Sequence, residues 1–333
     1  MSPTFFSIFP RGSFRRWIGH LASFAFASLS AIPAVSAESV VIGEGLSVGW
    51  AQFFIADAEK LWEKQGLEAS SVIFPSGRLV LDAVVGGRVT FGTAAETPVV
   101  FSTLNGLPVR IIATLQNGGG KPHEPFALVA NQSIQSARDI KGKRIGYSQG
   151  TNAHYYLAKL LDSVGLKFSD IQATSLTPSD FVTATVNGTL DGFIWTEPFA
   201  SQAIALSKGS LHAIASPGLY KSISAVITLQ KTIDEKPELL RKGLLALIAA
   251  DAEIRANPEK SIQTVSTRLN FDLALARDYW PKLNLGLGLD KAEIVRELES
   301  QAKWAIENKL VRPDARIPDF NQVVVEGFLP AQR

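Results

Sequence analysis

Gly146, Tyr147, Ser148, Gln149 and Gly150 spell G-x-S-x-G, the spacing that lifts a serine hydroxyl onto a sharp strand-to-helix turn where it can act as a nucleophile. Groups that could activate it follow in hydrolase order, Asp180 or Asp191 as the acid and His212 as the base. Upstream, Asn117, Gly118, Gly119 and Gly120 mimic an oxyanion-hole loop. Chemistry of this kind would make the chain a secreted serine esterase. Three features count against it. His212 falls inside an apparent strand, 211–215, rather than on a loop that could swing over Ser148. Neither acid has distinctive strand-end context. A long helical tail follows His212 and has no counterpart at the usual end of that fold.

The same turn supports a second chemistry, binding without bond-making. Residues 144–147 read as a strand, 148–151 as a turn, and the following residues as a helix with Ala153, Tyr156, Leu157, Leu160 and Leu161 at helical spacing. Thr151 or Asn152 can cap that helix, and the N–H groups of its first turn point back into the turn, a ready site for an anion. Ser76 and Thr97 are further cap-type residues at helix starts. Capping alone explains each one; their convergence would make a binding site. His123, His154 and His212 show no metal-ligand spacing, so no zinc or iron site is expected, and no cofactor. Cysteine is absent, which excludes a disulfide framework, thiol catalysis and an acylated cysteine anchor.

Length and composition describe an ordinary globular chain. Its 333 residues can bury a large core and favour two lobes over one, and 46% hydrophobic with 19% charged content excludes extended disorder. The first segment differs. Arg11, Arg15 and Arg16 precede an uncharged stretch, 21–37, that ends in small residues, with Val35 and Ala37 fitting the cleavage rule. Residues 1–37 therefore read as a signal peptide, with the mature chain starting near Glu38. An uncleaved membrane anchor is the competing reading, disfavoured because the stretch is short and weakly apolar. Arg15 and Arg16 also leave the export route, general or twin-arginine, open. The segment carries three of the 33 basic residues and no acids, so removing it leaves 30 basic against 31 acidic. No basic run or basic-aromatic interleaving survives, which excludes nucleic acid as a partner.

The elements that must position these residues alternate. Strand 40–43 is followed by a loop, 44–52, and an amphipathic helix, 51–65, carrying Phe54, Ala58, Leu61 and Trp62 on one face. Strand 72–74 turns through Pro75, Ser76 and Gly77 into a helix containing Val80, Leu81, Ala83 and Val84. Strand 89–92, turn 93–96, helix 97–104 and strand 109–115 follow. Residues 116–125 form a flexible break, with Gly118 to Gly120 as the candidate joint, before a crossing strand at 126–130. A second series then runs through strand 171–176, helix 179–186, strand 192–195, helix 197–206 and strand 211–215, with a return strand at 224–229. Helices at 238–256, 258–269, 272–283 and 291–308 complete the chain. Strands alternating with helical patterns of this length give βα units on mainly parallel sheets.

With these elements in order, the chain resembles the substrate-binding proteins of bacterial ABC importers for nitrate, sulfonates and taurine. They share a type II periplasmic-binding fold with binders of thiamin-pyrimidine precursors. The likeness is carried by FIADAEKLWEKQGLEAS, VVGGRVTFGTAAETPVVFSTLNGLPVRII, LVANQSIQSARDIKGKRIGYSQGTNAHYYLAKLLDSVGLKFSDI, ATVNGTLDGFIWTEPFA and IRANPEKSIQTVS, collinear across residues 40–270. It implies an α/β protein of two lobes, 38–116 with 222–333 and 117–221, that close on a solute by a hinge and present it to a permease and its ATPase. It also implies a monomer working in the periplasm, without turnover.

Ligands in such sheets sit at the carboxyl ends of parallel strands. That rule and the resemblance select the same loops: Trp50 and Gln52; Ser76 and Gly77; Ala95, Glu96 and Thr97; Gln116; Gly150, Thr151 and Asn152; Trp195 and Glu197. His154 joins them because the family often carries histidine there, and an aromatic at Trp195 would pack on the ligand. Glu197 or Glu96, if facing the ligand, would favour an amine or amide. Affinity is expected from N–H groups, hydroxyls and aromatic packing, without a dominant ion pair. The pyrimidine-synthase enzymes of the same fold need a cysteine-rich motif that this chain lacks.

Overall fold

The computed structural model describes residues 37–116, 125–216 and 218–330. The expected signal peptide, apart from Ala37, and the candidate joint at 118–120 lie outside these residues. The first series comprises β1 (Glu38–Gly45), α1 (Ala51–Ala58), α2 (Leu61–Lys64), β2 (Leu67–Phe74), α3 (Gly77–Val85), β3 (Phe91–Ala95), α4 (Glu96–Leu104) and β4 (Val109–Thr114). The second comprises β5 (Ala127–Asn131), β6 (Arg144–Tyr147), α5 (Asn152–Ser163), β7 (Gln172–Ser175), α6 (Pro178–Val186), β8 (Gly192–Trp195), α7 (Phe199–Leu206) and β9 (Leu211–Ile214). After β10 (Ser224–Leu229) the chain is helical through α8 (Gln230–Glu235), α9 (Pro237–Ala256), α10 (Pro258–Leu269), α11 (Leu273–Tyr279) and α12 (Lys291–Glu307).

Two five-stranded sheets result, ordered β2-β1-β3-β10-β4 and β7-β6-β8-β5-β9. Each has one reversed strand in fourth place. β10 runs antiparallel to β3 and β4, and β5 runs antiparallel to β8 and β9. These reversed strands are the ones that pass between the sheets, so their N-terminal ends lie beside the carboxyl ends of the parallel strands. The crossing segments therefore line the same edge as the candidate loops. The expected mainly parallel two-sheet α/β architecture is observed.

Each sheet has its own core. In the first, Trp62 is fully buried and packs edge-on to Phe91 and tilted against Phe53, with ring centroids 5.9 Å apart in both pairs. In the second, Phe181 stacks on Phe193 at 5.2 Å. Helix α12 packs into the first lobe's core through Ile294, Leu298 and Ala302, and only its Trp304 reaches the second lobe, edge-on to Tyr155 and His154 at 5.0 and 5.1 Å.

The first helix differs from its sequence pattern. Rather than running over 51–65 it breaks at Lys60, whose φ is 53°. Phe53 and Trp62 are nine residues apart, so on one straight helix they would face opposite directions. The left-handed residue turns the second segment and brings both rings into one core. Strand β3 continues through the expected turn to Ala95, because Thr93 pairs with Val226 and its Oγ1 accepts from Gly45 N at 2.9 Å. Helix α7 starts at Phe199 rather than 197, since Glu197 precedes a proline and is steered from helical geometry. Pro281 likewise ends α11 early, with 3-10 geometry over Trp280–Lys282. Among the described residues no helix is long and apolar enough to cross a membrane.

Candidate functional site

A cleft of about 730 Å3, its open mouth included, lies where the carboxyl ends of the two sheets meet. The first lobe supplies Ser47 to Trp50 after β1, Ser76 to Arg78 after β2, Ala95 after β3 and Gln116 after β4. The second supplies Thr151 and Asn152 after β6 and Trp195 to Glu197 after β8. Phe126, Ser222 and Ser224 come from the crossing segments, and Tyr279 and Leu283 from the end of α11 and the turn after it. Nine of the fourteen residues selected from the sequence line it: Trp50, Ser76, Gly77, Ala95, Gln116, Thr151, Asn152, Trp195 and Glu197.

Local chemistry fixes each one. Ser47 Oγ accepts from Gly49 N at 3.3 Å and starts the short 3-10 turn that presents Trp50. The six-membered edge of the Trp50 indole lies so close over Gly45 and Gly77 that a Cβ would sit 2.0 and 2.8 Å from its atoms. Only glycine allows that approach. Ser76 caps α3, accepting from Leu79 N at 3.5 Å, while Gln116 Nε2 donates to Ser224 Oγ at 2.9 Å. Thr151 stands at the N-cap of α5, but its hydroxyl donates backwards to Ser148 O at 2.7 Å and leaves the leading N–H groups of the helix uncapped by it. Asn152 Nδ2 donates across to Ser222 Oγ at 2.8 Å, tying α5 to the crossing segment. Trp195 packs on Phe181 with centroids 5.7 Å apart. Both Glu197 carboxylate oxygens are engaged by Ser201, from its N–H at 3.0 Å and its hydroxyl at 2.7 Å, so this acid caps α7.

Two tryptophans that line this cleft each carry an unmatched donor. The indole N–H groups of Trp50 and Trp195 are buried and have no acceptor among the described residues. The residues are 8% and 5% exposed, and they come from opposite lobes. A buried donor without a partner costs about 1–3 kcal/mol, which an acceptor brought in by a ligand would recover.

Five selected residues do not line the cleft. Gln52 is fully buried, donating to Leu115 O at 2.8 Å and to Asp251 Oδ1 at 3.0 Å, and so braces the first core. Glu96 is buried beneath the crossing segment, where its Oε2 accepts from Ile223 N at 2.9 Å and its Oε1 from Gln301 Nε2 at 3.0 Å. Burial first, and then the Glu297 charge, push the Glu96 carboxyl up to about 8. Thr97 donates to Gln301 Oε1 at 2.6 Å within the same knot. Gly150 has φ 73° and shapes the turn without lining the cavity. His154 is neither solvated nor in the cleft: it is buried among Tyr147, Phe168 and Trp304, and Gly150 N donates to its Nδ1 at 3.4 Å. Burial pushes this imidazole down to about 4, so it stays neutral and positions the turn.

Sequence reasoning missed Arg78, Phe126, Ser222, Ser224 and Tyr279. Arg78 carried a readable signal, because a cation in the first turn of a helix opposes the helix dipole and calls for a partner. The crossing-segment residues carried none.

The esterase arrangement does not form. His212 lies on β9, separated from β6 by β8 and β5, which places it about 14 Å along the sheet from the Ser148 turn. Among the described residues neither nitrogen of His212 has a partner. Asp191 is instead clamped by Arg144, whose Nη2, Nε and backbone N donate at 2.8, 3.1 and 2.9 Å. Asp180 accepts from Thr177 Oγ1 at 2.6 Å.

Two sheets with one reversed strand each, facing over a cleft at their carboxyl edges, define the two-lobed periplasmic binding-protein fold. The same fold occurs in the alkanesulfonate-binding protein SsuA of Xanthomonas axonopodis bound to MOPS, with a TM-score of 0.77 at 20% identity over 88% of this chain and 100% of that one. The nitrate-binding protein NrtA of Synechocystis shares it at a TM-score of 0.60 and 14% identity, over 71% of this chain and 68% of that one. By sequence, residues 48–261 match the NMT1/THI5-like family, and the chain belongs to it. A relative from Escherichia coli, a putative aliphatic sulfonates-binding protein, is 29% identical over 310 residues, 88% of this chain and 93% of the relative. These relatives are binding proteins, not enzymes.

Proposed function

We propose that the chain is the solute-binding receptor of an ABC importer, exported to the periplasm by its N-terminal segment. There it captures a small polar or anionic solute, of the sulfonate, taurine or nitrate kind, and hands it to a membrane permease with its ATPase. The observation that carries this reading is one cleft lined from both lobes at the carboxyl ends of their parallel strands, with Trp50 of one lobe and Trp195 of the other, each with an unmatched buried indole N–H, among its walls. A solute accepting from both would favour the closed form by contacts that the open form lacks. In this mechanism residues 38–116 with 222–333 move as one body and 117–221 as the other, and the protein acts as a monomer. Trp50, Ser76, Gly77, Gln116, Thr151, Asn152, Trp195 and Glu197 form the ligand shell. The names of the relatives point to sulfonates first and nitrate second.

A thermal-shift screen over nitrate, alkanesulfonates, taurine, amino acids and pyrimidines tests the reading, because a ligand that binds only the folded chain raises its melting temperature. A hit without chemical change of the solute is expected. The paired substitution Thr151→Ala with Asn152→Ala should weaken that hit; unchanged affinity would remove the α5 turn from the site.

A further inference from the structure

Arg78 is the second residue of α3, and its guanidinium lies at the cleft. A cation there sits at the positive end of the helix dipole, an arrangement that is unfavourable unless another group compensates. Its own helix offers little: Asp82 is 4.0 Å from Nε, and both side chains are about half exposed. The compensation comes from the other lobe. Arg78 Nη1 donates to Gln149 O at 2.6 Å, across the mouth of the cleft. The guanidinium also lies over Gly150, where an added Cβ would be 3.5 Å from Nη1. Among the described residues the only charged side chains lining the cleft are Arg78 and Glu197, and Glu197 is engaged by Ser201. The first-turn N–H groups of α5 and the two unmatched indoles add further donors. Hydrogen-bond donors and one cation, only weakly paired with the exposed Asp82, therefore gather around the cleft.

We propose that Arg78 is the specificity-determining residue of this cleft: it selects an anionic head group and, through the same guanidinium, ties that head group to the Gln149 carbonyl of the facing lobe. The proposal rests on the receptor reading above. Five N–H donors in a planar fork let one guanidinium serve a carbonyl and an anion together. Anion capture and closure of the mouth become one event, and an uncharged solute of equal shape closes the cleft poorly.

Titration calorimetry on the purified chain with butanesulfonate and with its uncharged counterpart, butyl methyl sulfone, tests this. The wild type should prefer the sulfonate. Arg78→Gln should lose about tenfold in sulfonate affinity, as expected for one partly exposed charge-assisted bond, with sulfone affinity unchanged. Arg78→Lys should fall between, since an ammonium lacks the fork. Small-angle scattering should show the Arg78→Gln protein less compacted by butanesulfonate than the wild type. Equal loss for both probes, or none for the sulfonate, overturns the proposal. A wild type that binds other solutes but prefers the sulfone overturns it and leaves the receptor reading standing. A wild type that binds nothing in the screen overturns both.

Discussion

The buried acid Glu96 yields a sharp prediction, because it separates a structural role from a ligand-binding one. In the folded chain its carboxyl is raised from an ordinary 4.5 to about 8 by burial and by Glu297. The folded state therefore keeps a proton that the unfolded state releases above pH 4.5. Stability from this group is full below pH 4.5, declines as pH rises, and is gone above about 8. The whole effect is at most about 5 kcal/mol, and its slope at most about 1.4 kcal/mol per pH unit. Glu96→Gln keeps the shape and removes the titration, so urea unfolding between about pH 5 and pH 8 should show a shallower fall than the wild type. Some slope should persist, since burial also raises Glu44, to about 7, and Glu297. Ligand affinity should stay within about threefold, because Glu96 does not line the cleft. A wild-type slope in the Glu96→Gln protein would refute the assignment, and a large loss of affinity would return Glu96 to the ligand shell.

Trp195→Phe keeps an aromatic ring but removes the unmatched N–H, so affinity for any hit of the screen should fall about 3- to 10-fold by calorimetry. Gly77→Ala would place a methyl 2.8 Å from the Trp50 ring and 2.9 Å from Ala94 Cα; urea unfolding should report a loss of about 1–3 kcal/mol. Asp251→Ala removes one of the two acceptors of the Gln52 amide and strands the Leu287 N–H, which donate to it at 3.0 and 2.7 Å, and should destabilise the chain by about 2–4 kcal/mol in the same assay. Ser148→Ala should bind as the wild type does, and neither protein should be labelled by a serine-hydrolase probe.

The sequence by itself determined the elements and their order. Period-two and period-3.6 hydrophobic patterns, cap residues such as Ser76 and breakers such as Pro258 act within a few neighbours, so the strands, the α10 boundaries and the loops at the cleft were legible. Trp50, Gly77, Asn152 and Trp195 could be placed at the cleft from sequence because strand ends of parallel sheets must meet at one edge. What only the tertiary structure decided is which polar groups meet across long separations. Glu96 meets Ile223 at a distance of 127 residues in sequence, Thr97 meets Gln301 at 204, and Arg78 meets Gln149 at 71. No local pattern records such pairs, because the free energy that selects them, desolvation balanced against hydrogen bonding, exists only once the sheets have closed around them. That is why Gln52, Glu96, Thr97 and His154 read as ligand groups in one dimension and are braces of the core in three.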